Sequence, residues 1–268
     1  MAIVPRRVNG CFDDVLFDFI AGSDGFVPRI YSDQRGIPTI GLGYAMLDNT
    51  PGWPPRDSLE SDLAGIGIKL SPADRYRLTA VGEALSRHDL AQARNLVAGS
   101  TAGEEPGSKN SFSFAITRDQ AQALFELIRP DYEDCLRRRL GHDLSDALEN
   151  SRELVALSSL AYNNPALFGP SLSAALHSGA REKAWFEILF GSNRARHRGL
   201  QKRRNHEAKM FGLTNAQPSE AECAAIVDFL REKRVTMRHY MKDFGFSEPD
   251  IDITLMGLSA SIGVAKVA

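Results

Sequence analysis

The sequence lacks the patterns that mark several common classes of protein. Its three cysteines are far apart and form no C-x-x-C pair, so neither a disulfide framework nor a zinc site is expected. Its six histidines show no H-E-x-x-H spacing, and there is no G-x-S-x-G elbow and no glycine-rich phosphate loop. No stretch approaches the roughly 18 apolar residues of a membrane span. We therefore expect a protein without membrane insertion and without a metal or other cofactor.

The composition itself is that of an ordinary globular protein. Hydrophobic residues make up 43% of the 268 residues and charged residues 25%, with a formal net charge of −2. Such a chain can bury a substantial core. The N-terminus carries arginines but no apolar run of signal-peptide length, which predicts synthesis in the cytoplasm without a signal peptide. The apolar tail, residues 253–268, is interpreted as packed or bound to a partner.

Positive charge is concentrated in one short segment. The segment from Arg194 to Lys209 contains seven basic residues and one acidic residue, Glu207, so its net charge is +6. The remainder of the chain therefore carries a net charge of −8. Two interpretations stay open: a solvated, partly ion-paired helix face, or a patch that attracts an anionic polymer such as the bacterial wall. Nucleic acid is not expected as a partner, because the segment lacks interleaved aromatic residues.

Helical patterns dominate the second half of the chain. Ser71 begins a helical region that extends to about residue 97, and residues 99–111 predict an exposed loop. A capping box at Thr117 starts a helix that is expected to end at Pro130. Further helices are predicted for an apolar stripe at 154–161, for 171–177 and 182–190, and after Ser219.

A helix and a hairpin come first in the chain. Apolar spacing predicts a helix over residues 12–21, with Gly22 as its C-cap. The following residues favour two strands joined by the turn Asp33–Gly36, and Thr39 lies on the returning strand.

Two carboxylates lie close together in the sequence around this hairpin. Glycoside hydrolysis uses one carboxylic acid to protonate the leaving oxygen and a second carboxylate on the other side of the sugar. Asp24 and Asp33, nine residues apart, could serve in these roles, with Thr39 holding a water. The competing interpretation is a polar turn, because Asp and Gly are common in turns.

The wider string resembles a known family. Asp24-Gly25, Ile30–Asp33, Gly36 and Thr39–Gly43 together are similar to the active-site segment of the phage-type lysozymes, the muramidases of glycoside hydrolase family 24. The resemblance continues downstream in four segments, residues 116–121, 159–163, 168–172 and 199–207.

The resemblance implies a mainly helical α+β, two-lobed lysozyme-like fold with a small β-hairpin lobe and a helical lobe. A lysozyme-like catalytic domain would span residues 1–213, with the small lobe at about 12–48, an inserted segment at about 49–115 and the helical lobe at about 116–213. Residues 214–268 would form a C-terminal helical extension.

Site roles follow from the same resemblance. Asp24 takes the place of the general acid, Asp33 of the second catalytic carboxylate, and Thr39 of the hydroxyl that positions water. The expected substrate-binding residues are Asn163, Phe168, Ser171, Arg203 and Arg204.

Two positions depart from the family pattern. The family acid is Glu, and Asp24 withdraws the carboxyl by one carbon–carbon bond, about 1.5 Å. A misplacement of that order can cost about a hundredfold in rate. Tyr44 stands where many members have His, which concerns a structural contact more than the chemistry.

The implied function is hydrolysis of the β-1,4 bond between N-acetylmuramic acid and N-acetylglucosamine in peptidoglycan. Delivery to the periplasm or wall would come from a phage lysis system or a secretion apparatus, with an apparatus component or an immunity protein as a possible partner. One alternative is a peptidoglycan-binding module with little or no activity. Another is a structural or interaction domain that uses the basic segment.

Overall fold

The protein has the predicted mainly helical α+β fold. The computed structural model describes residues 3–99, 112–193, 198–247 and 249. Within these residues it contains eleven α-helices and one three-stranded antiparallel sheet, which confirms the fold class. The tail 253–268, the loop from residue 100 to 111 and the basic residues Arg194 and Arg196 lie outside the described residues.

The chain divides into two compact units. The helical unit comprises Met1–Phe19 and Asp131–Ala268, and the sheet unit comprises Ile20–Pro130. Both boundaries fall inside helices, α1 (Phe12–Asp24) and α5 (Arg118–Leu140). The boundary predicted at residue 213 between a catalytic domain and an extension stays a prediction.

The sheet unit is built on a hairpin with a short third strand. Its strands are β1 (Val27–Ser32), β2 (Pro38–Gly41) and β3 (Tyr44–Ala45), in the order β1-β2-β3. Its remaining helices are α2 (Leu59–Gly65), α3 (Pro72–Ser86) and α4 (Leu90–Ala98). Every residue of the central strand β2 is buried, and α4 packs against β1.

The first helix ends later than its sequence predicts. Gly22 was the expected C-cap, but α1 continues to Asp24. Gly25 supplies the stop instead: it has φ +80°, and its N–H donates to the carbonyl of Ala21 at 2.9 Å. Positive φ is readily available to glycine, so Gly25 closes the helix at the candidate acid.

Two predicted helix starts in this unit are confirmed. The Ser71 hydroxyl accepts from the N–H of Asp74 at 3.1 Å, and Asp74 accepts in turn from the Ser71 N–H. Thr117 and Gln120 make the same reciprocal pair at the start of α5, at 3.2 and 2.9 Å. These caps satisfy N–H groups that have no partner within the helix.

The helix α5 does not end at Pro130 as predicted. It continues to Leu140 with Pro130 inside it. A proline removes one helical hydrogen bond and disfavours the interior of a helix. Leu136 and Leu140 are 2% and 1% exposed in the core of the helical unit, and their burial offsets that cost.

The helical unit contains the other six helices. They are α6 (His142–Leu148), α7 (Arg152–Asn163), α8 (Pro170–His177), α9 (Arg181–Leu189), α10 (Arg198–Phe211) and α11 (Glu220–Asp243). The predictions for α7, α8, α9 and α11 are confirmed to within a few residues. Packing of α7 against α10, and of α9 against α8 and α10, encloses one hydrophobic core to which α11 contributes Ile226, Met237 and Met241.

Candidate active site

Asp33 lies in the hairpin turn, where its carboxylate stabilises the turn itself. Its Oδ1 accepts from the backbone N–H of Arg35 and of Ile37, both at 2.8 Å. The N–H of Gly36 donates to the Asp33 carbonyl at 3.1 Å, with Gly36 at φ +85°. Two N–H donors on one oxygen fix the orientation of the half-buried side chain.

The strand register places Thr39 on the same face of the hairpin as Asp33. Tyr31 pairs with Thr39, and the N–H of Asp33 donates to the carbonyl of Ile37 at 3.0 Å, which extends the ladder by one step. Side chains alternate between the two faces along a strand, so Asp33 lies on the same face as Tyr31 and its partner Thr39. Asp33 and Thr39 are therefore diagonal neighbours, for which a Cα–Cα separation of about 7–8 Å is typical.

The Thr39 hydroxyl is oriented within this arrangement. Thr39 is 4% exposed, and its Oγ1 donates to the carbonyl of Ile37 at 3.0 Å. A hydroxyl has one donor and two acceptor sites, so a Thr39 oxygen held in this way can still accept from a water.

Asp24 is the last residue of α1, immediately before Gly25. Its side chain lies outside what the structure describes. Its catalytic role therefore stays a prediction based on the sequence.

A buried tyrosine joins the sheet to the segment that follows it. The Tyr44 hydroxyl donates to Oδ2 of Asp62 at 2.7 Å, and Ser58 donates to the same oxygen at 2.7 Å. Burial, followed by the hydrogen bond to Asp62 and then the charge of Asp62, raises the pKa of Tyr44 well above its ordinary range. Tyr44 was noted in the sequence as a departure, but no local pattern identified Asp62, 18 residues away, as its partner.

Asp74 fixes the start of α3 and the segment that returns toward α5. It is 1% exposed and accepts from the N–H and the hydroxyl of both Ser71 and Ser113, at 2.6 to 3.1 Å. Burial alone would raise the pKa of Asp74, but the donors on Ser113 and Ser71 outweigh it and hold the pKa below its usual value.

A pocket of about 400 Å³ in the helical unit contains one predicted substrate contact, Ser171. Its lining comes from the start of α8, the preceding turn and the end of α9, and includes Ala166, Gly169, Glu187, Ser192, Asn193 and Leu200. Phe168 is only 1% exposed, and its ring belongs to the hydrophobic core. The sequence did not single out Asn193 as a lining residue, because a lone asparagine after Gly191-Ser192 has no distinguishing pattern.

Arg203 and Arg204, predicted to bind substrate, have buried side chains. Their exposed fractions are 5% and 0%, and both pair with Glu207, itself fully buried. Arg203 Nε lies 3.1 Å from Glu207 Oε1, and Arg204 Nε lies 3.0 Å from Oε2. Their part in substrate binding stays a prediction. Among the described side chains of α10, Lys202 and Lys209 are exposed cations.

Two residues of α7 extend this buried network. The Ser159 hydroxyl donates to Glu207 at 2.8 Å, and Arg204 Nη2 donates to Asn163 Oδ1 at 3.1 Å. Burial raises the pKa of Glu207, whereas Arg204 and Arg203 lower it. Asn163, another predicted substrate contact, is thus held by a buried guanidinium.

A second buried network lies at the other end of α7. Glu153 is fully buried, with Arg181 Nη2 at 2.8 Å and Arg6 Nε at 3.1 Å from its Oε1. Arg181 is 1% exposed, and its Nη1 also donates to the carbonyl of Phe211 at 2.9 Å. Burial lowers the pKa of Arg181, and Glu153 opposes the shift. This network joins the N-terminal segment, α7, α9 and the end of α10.

Two further features are absent from the described residues. No group of three or more His, Cys, Asp or Glu side chains within them could hold a metal ion. No helix in the same part of the chain has the length and hydropathy required to cross a membrane.

Comparison with known proteins gives no assignment. No protein-family model matches the chain, and no curated protein matches it either.

Proposed function

We propose that the protein hydrolyses peptidoglycan at the β-1,4 bond between N-acetylmuramic acid and N-acetylglucosamine. The observation that carries the proposal is the placement of Asp33 and Thr39 as diagonal neighbours on one face of the hairpin. The side chains of diagonal neighbours can approach each other, so a carboxylate and a hydroxyl in these positions can share a bridging water. The sequence adds Asp24 as the acid, at the end of the helix that leads into the same hairpin.

The roles in the reaction follow the two-carboxylate scheme. Asp24 would protonate the leaving glycosidic oxygen, while Asp33 would activate a water or stabilise the positive charge that develops on the sugar. The two backbone N–H donors on Asp33 Oδ1 fix the orientation of its carboxylate, as either role requires. Thr39 would accept a hydrogen bond from the water.

The decisive experiment separates the charge of Asp33 from its function in the turn. Asp33→Asn keeps an oxygen that can accept from Arg35 and Ile37, so the turn should survive while the negative charge is removed. We expect Asp33→Asn to abolish wall clearing and the release of reducing ends, with the fold retained and only a modest decrease in melting temperature, because a neutral acceptor forms weaker hydrogen bonds than a carboxylate. Gln34→Ala, an exposed change in the same turn, is the matched control. Full activity in Asp33→Asn would refute the catalytic role.

Asp24 is tested by lengthening and truncating its side chain. General acid catalysis is worth about 10²–10⁴ in rate, so Asp24→Ala should lose nearly all clearing activity. Asp24→Glu restores the length found in the family and should raise the initial rate. Equal, nonzero rates in the parent and both variants would exclude Asp24 from catalysis.

A second candidate function is a peptidoglycan-binding module without catalysis. Two observations favour it: the short acid at Asp24, and the use of Asp33 Oδ1 to stabilise its own turn. This candidate predicts binding to purified wall with no reducing ends released by the parent or by Asp24→Glu.

The site of action and the partners belong to the same proposal. Peptidoglycan lies outside the cytoplasm, so the protein would act in the bacterial periplasm or on the wall after delivery. Two delivery routes fit the proposal: a phage lysis system and a secretion apparatus. Co-purification with an apparatus component or with an immunity protein would favour secretion.

A further inference from the structure

We propose that Arg204 is a positioning residue that orients the side-chain amide of Asn163, so that its nitrogen donates a hydrogen bond to a ligand. The ligand would present an acceptor oxygen, as the carbonyl of an N-acetylated sugar does. This inference rests on the proposed function, which supplies a glycan of that chemistry.

The orientation of the Asn163 amide follows from the chemistry of its partner. A guanidinium carries only donors, so the group that Arg204 Nη2 contacts at 3.1 Å must be the amide oxygen of Asn163. The amide nitrogen therefore points away from Arg204. Within residues 3–99, 112–193 and 198–247, that nitrogen donates no hydrogen bond, and the Asn163 side chain is half-buried.

Arg204 is itself held rigidly. Its guanidinium is 0% exposed and contacts Glu207 through both Nε, at 3.0 Å, and Nη2, at 3.1 Å. Glu207 also accepts from Ser159 at 2.8 Å, and Ser159 lies one helical turn before Asn163 on α7. The network thus fixes both the guanidinium and the helix that carries the amide.

The adjacent asparagine shows the contrast. Asn164 Oδ1 accepts from the backbone N–H of Ala166 at 2.9 Å and caps the short 3-10 turn Pro165–Leu167. The Asn164 side chain is therefore used by the fold. The Asn163 side chain is instead oriented by a charged group, which suits an amide that must present its donors in one direction.

Asn163→Asp is the most direct test, because it removes the amide nitrogen and keeps the contact of the side-chain oxygen with Arg204. The new carboxylate can still accept from Arg204, but it has no N–H to offer a ligand. We would measure calorimetric binding of the N-acetylglucosamine hexamer in an Asp33→Asn background, which prevents turnover. A lost hydrogen bond corresponds to about a three- to tenfold weaker Kd, and repulsion by the carboxylate adds to it.

The positioning role is tested by comparing two buried arginines. In Arg204→Lys a single ammonium cannot contact both Glu207 and Asn163 in the same geometry. Arg181→Lys disturbs a network equally buried in the same unit, with no contact to Asn163. Both variants should melt earlier, but only Arg204→Lys should weaken hexamer binding. Equal weakening in both would reduce Arg204 to a structural role.

The remaining outcomes separate this inference from the proposed function. Unchanged hexamer binding by Asn163→Asp overturns the inference even if the parent hydrolyses wall. Failure of the parent background to bind the hexamer also overturns it. If the unmodified chain releases no reducing ends but binds the hexamer, and Asn163→Asp weakens that binding, the inference stands and the catalytic proposal fails.

Discussion

The two units hold their most deeply buried carboxylates by different means. In the helical unit Glu153 and Glu207 each lie against two arginines. In the sheet unit the buried Asp74 accepts from neutral N–H and hydroxyl donors of two serines, and the half-buried Asp33 accepts from two backbone N–H groups. Removal of Glu153 or Glu207 would leave two arginine charges without their common partner, whereas removal of a serine that donates to Asp74 removes only hydrogen bonds.

This difference changes the expected cost of mutation. A buried ion pair that loses one partner costs about 3–5 kcal/mol, because the other charge remains in a poorly solvated site. A hydrogen bond to a charged group contributes about 1.5–3 kcal/mol, and a neutral one about 1 kcal/mol. The helical unit should therefore be the more sensitive to single charge changes.

The largest effect is expected from charge reversal at Arg204. Arg204→Glu would place a second carboxylate beside Glu207, where both side chains are fully buried. We expect at least the roughly 3–5 kcal/mol loss of a broken buried pair, measured by urea unfolding. Lys202→Glu, on the exposed side of the same helix, is the control. Equal stability of the two variants would show that the described burial of Arg204 is wrong.

The next effect is a pH-dependent loss at Asp74. Its lowered folded pKa means that Asp74 stabilises the protein above its ordinary pKa of about 3.9, and this contribution disappears as the pH falls through the folded value. Asp74→Asn should cost about 2 kcal/mol at neutral pH and should flatten the loss of stability between about pH 5 and pH 2. Unfolding free energies measured across that range test it. An unchanged acid slope would assign the pH dependence to other groups.

A smaller effect is expected at Tyr44. Tyr44→Phe removes one donor from the Asp62 carboxylate, which retains its bond from Ser58, so the loss should lie at the low end for a hydrogen bond to a charged group, about 1.5 kcal/mol. The raised pKa of Tyr44 gives an independent readout in alkaline absorbance titration. One tyrosine should titrate above the ordinary value of about 10, and the variant should lack that step. A step that persists in the variant belongs to another tyrosine.

The smallest effect on stability is expected at the exposed lysines of α10. A Lys202→Glu, Lys209→Glu double variant should keep its unfolding free energy within about 0.5 kcal/mol. If the basic segment attracts wall polymer, the variant should bind purified wall less tightly at low salt. That difference should fade as salt shortens the screening length to about 10 Å at 0.1 M. Salt-independent binding in both proteins would leave these lysines as ordinary surface residues.

The sequence by itself determined the features that depend on neighbouring residues. The caps at Ser71, Thr117 and Ser219 each join a hydroxyl to an N–H three residues later, and the Asp33–Gly36 turn is equally local. Apolar spacing likewise predicted α7 and α11. Such features can be predicted from sequence because the hydrogen bonds that stabilise them join residues only two to four positions apart.

Only the tertiary structure decided which of the described basic residues of α10 are buried and which are exposed. Arg203, Arg204, Lys202 and Lys209 look alike in sequence, yet the first two are buried and the lysines are exposed. Their sorting depends on Ser159, 48 residues from Glu207, and on the packing of α7 against α10. Burial of a charge depends on partners distant in the chain. The continuation of α5 through Pro130 is also a tertiary effect, because it depends on the packing of Leu136 and Leu140 in the core.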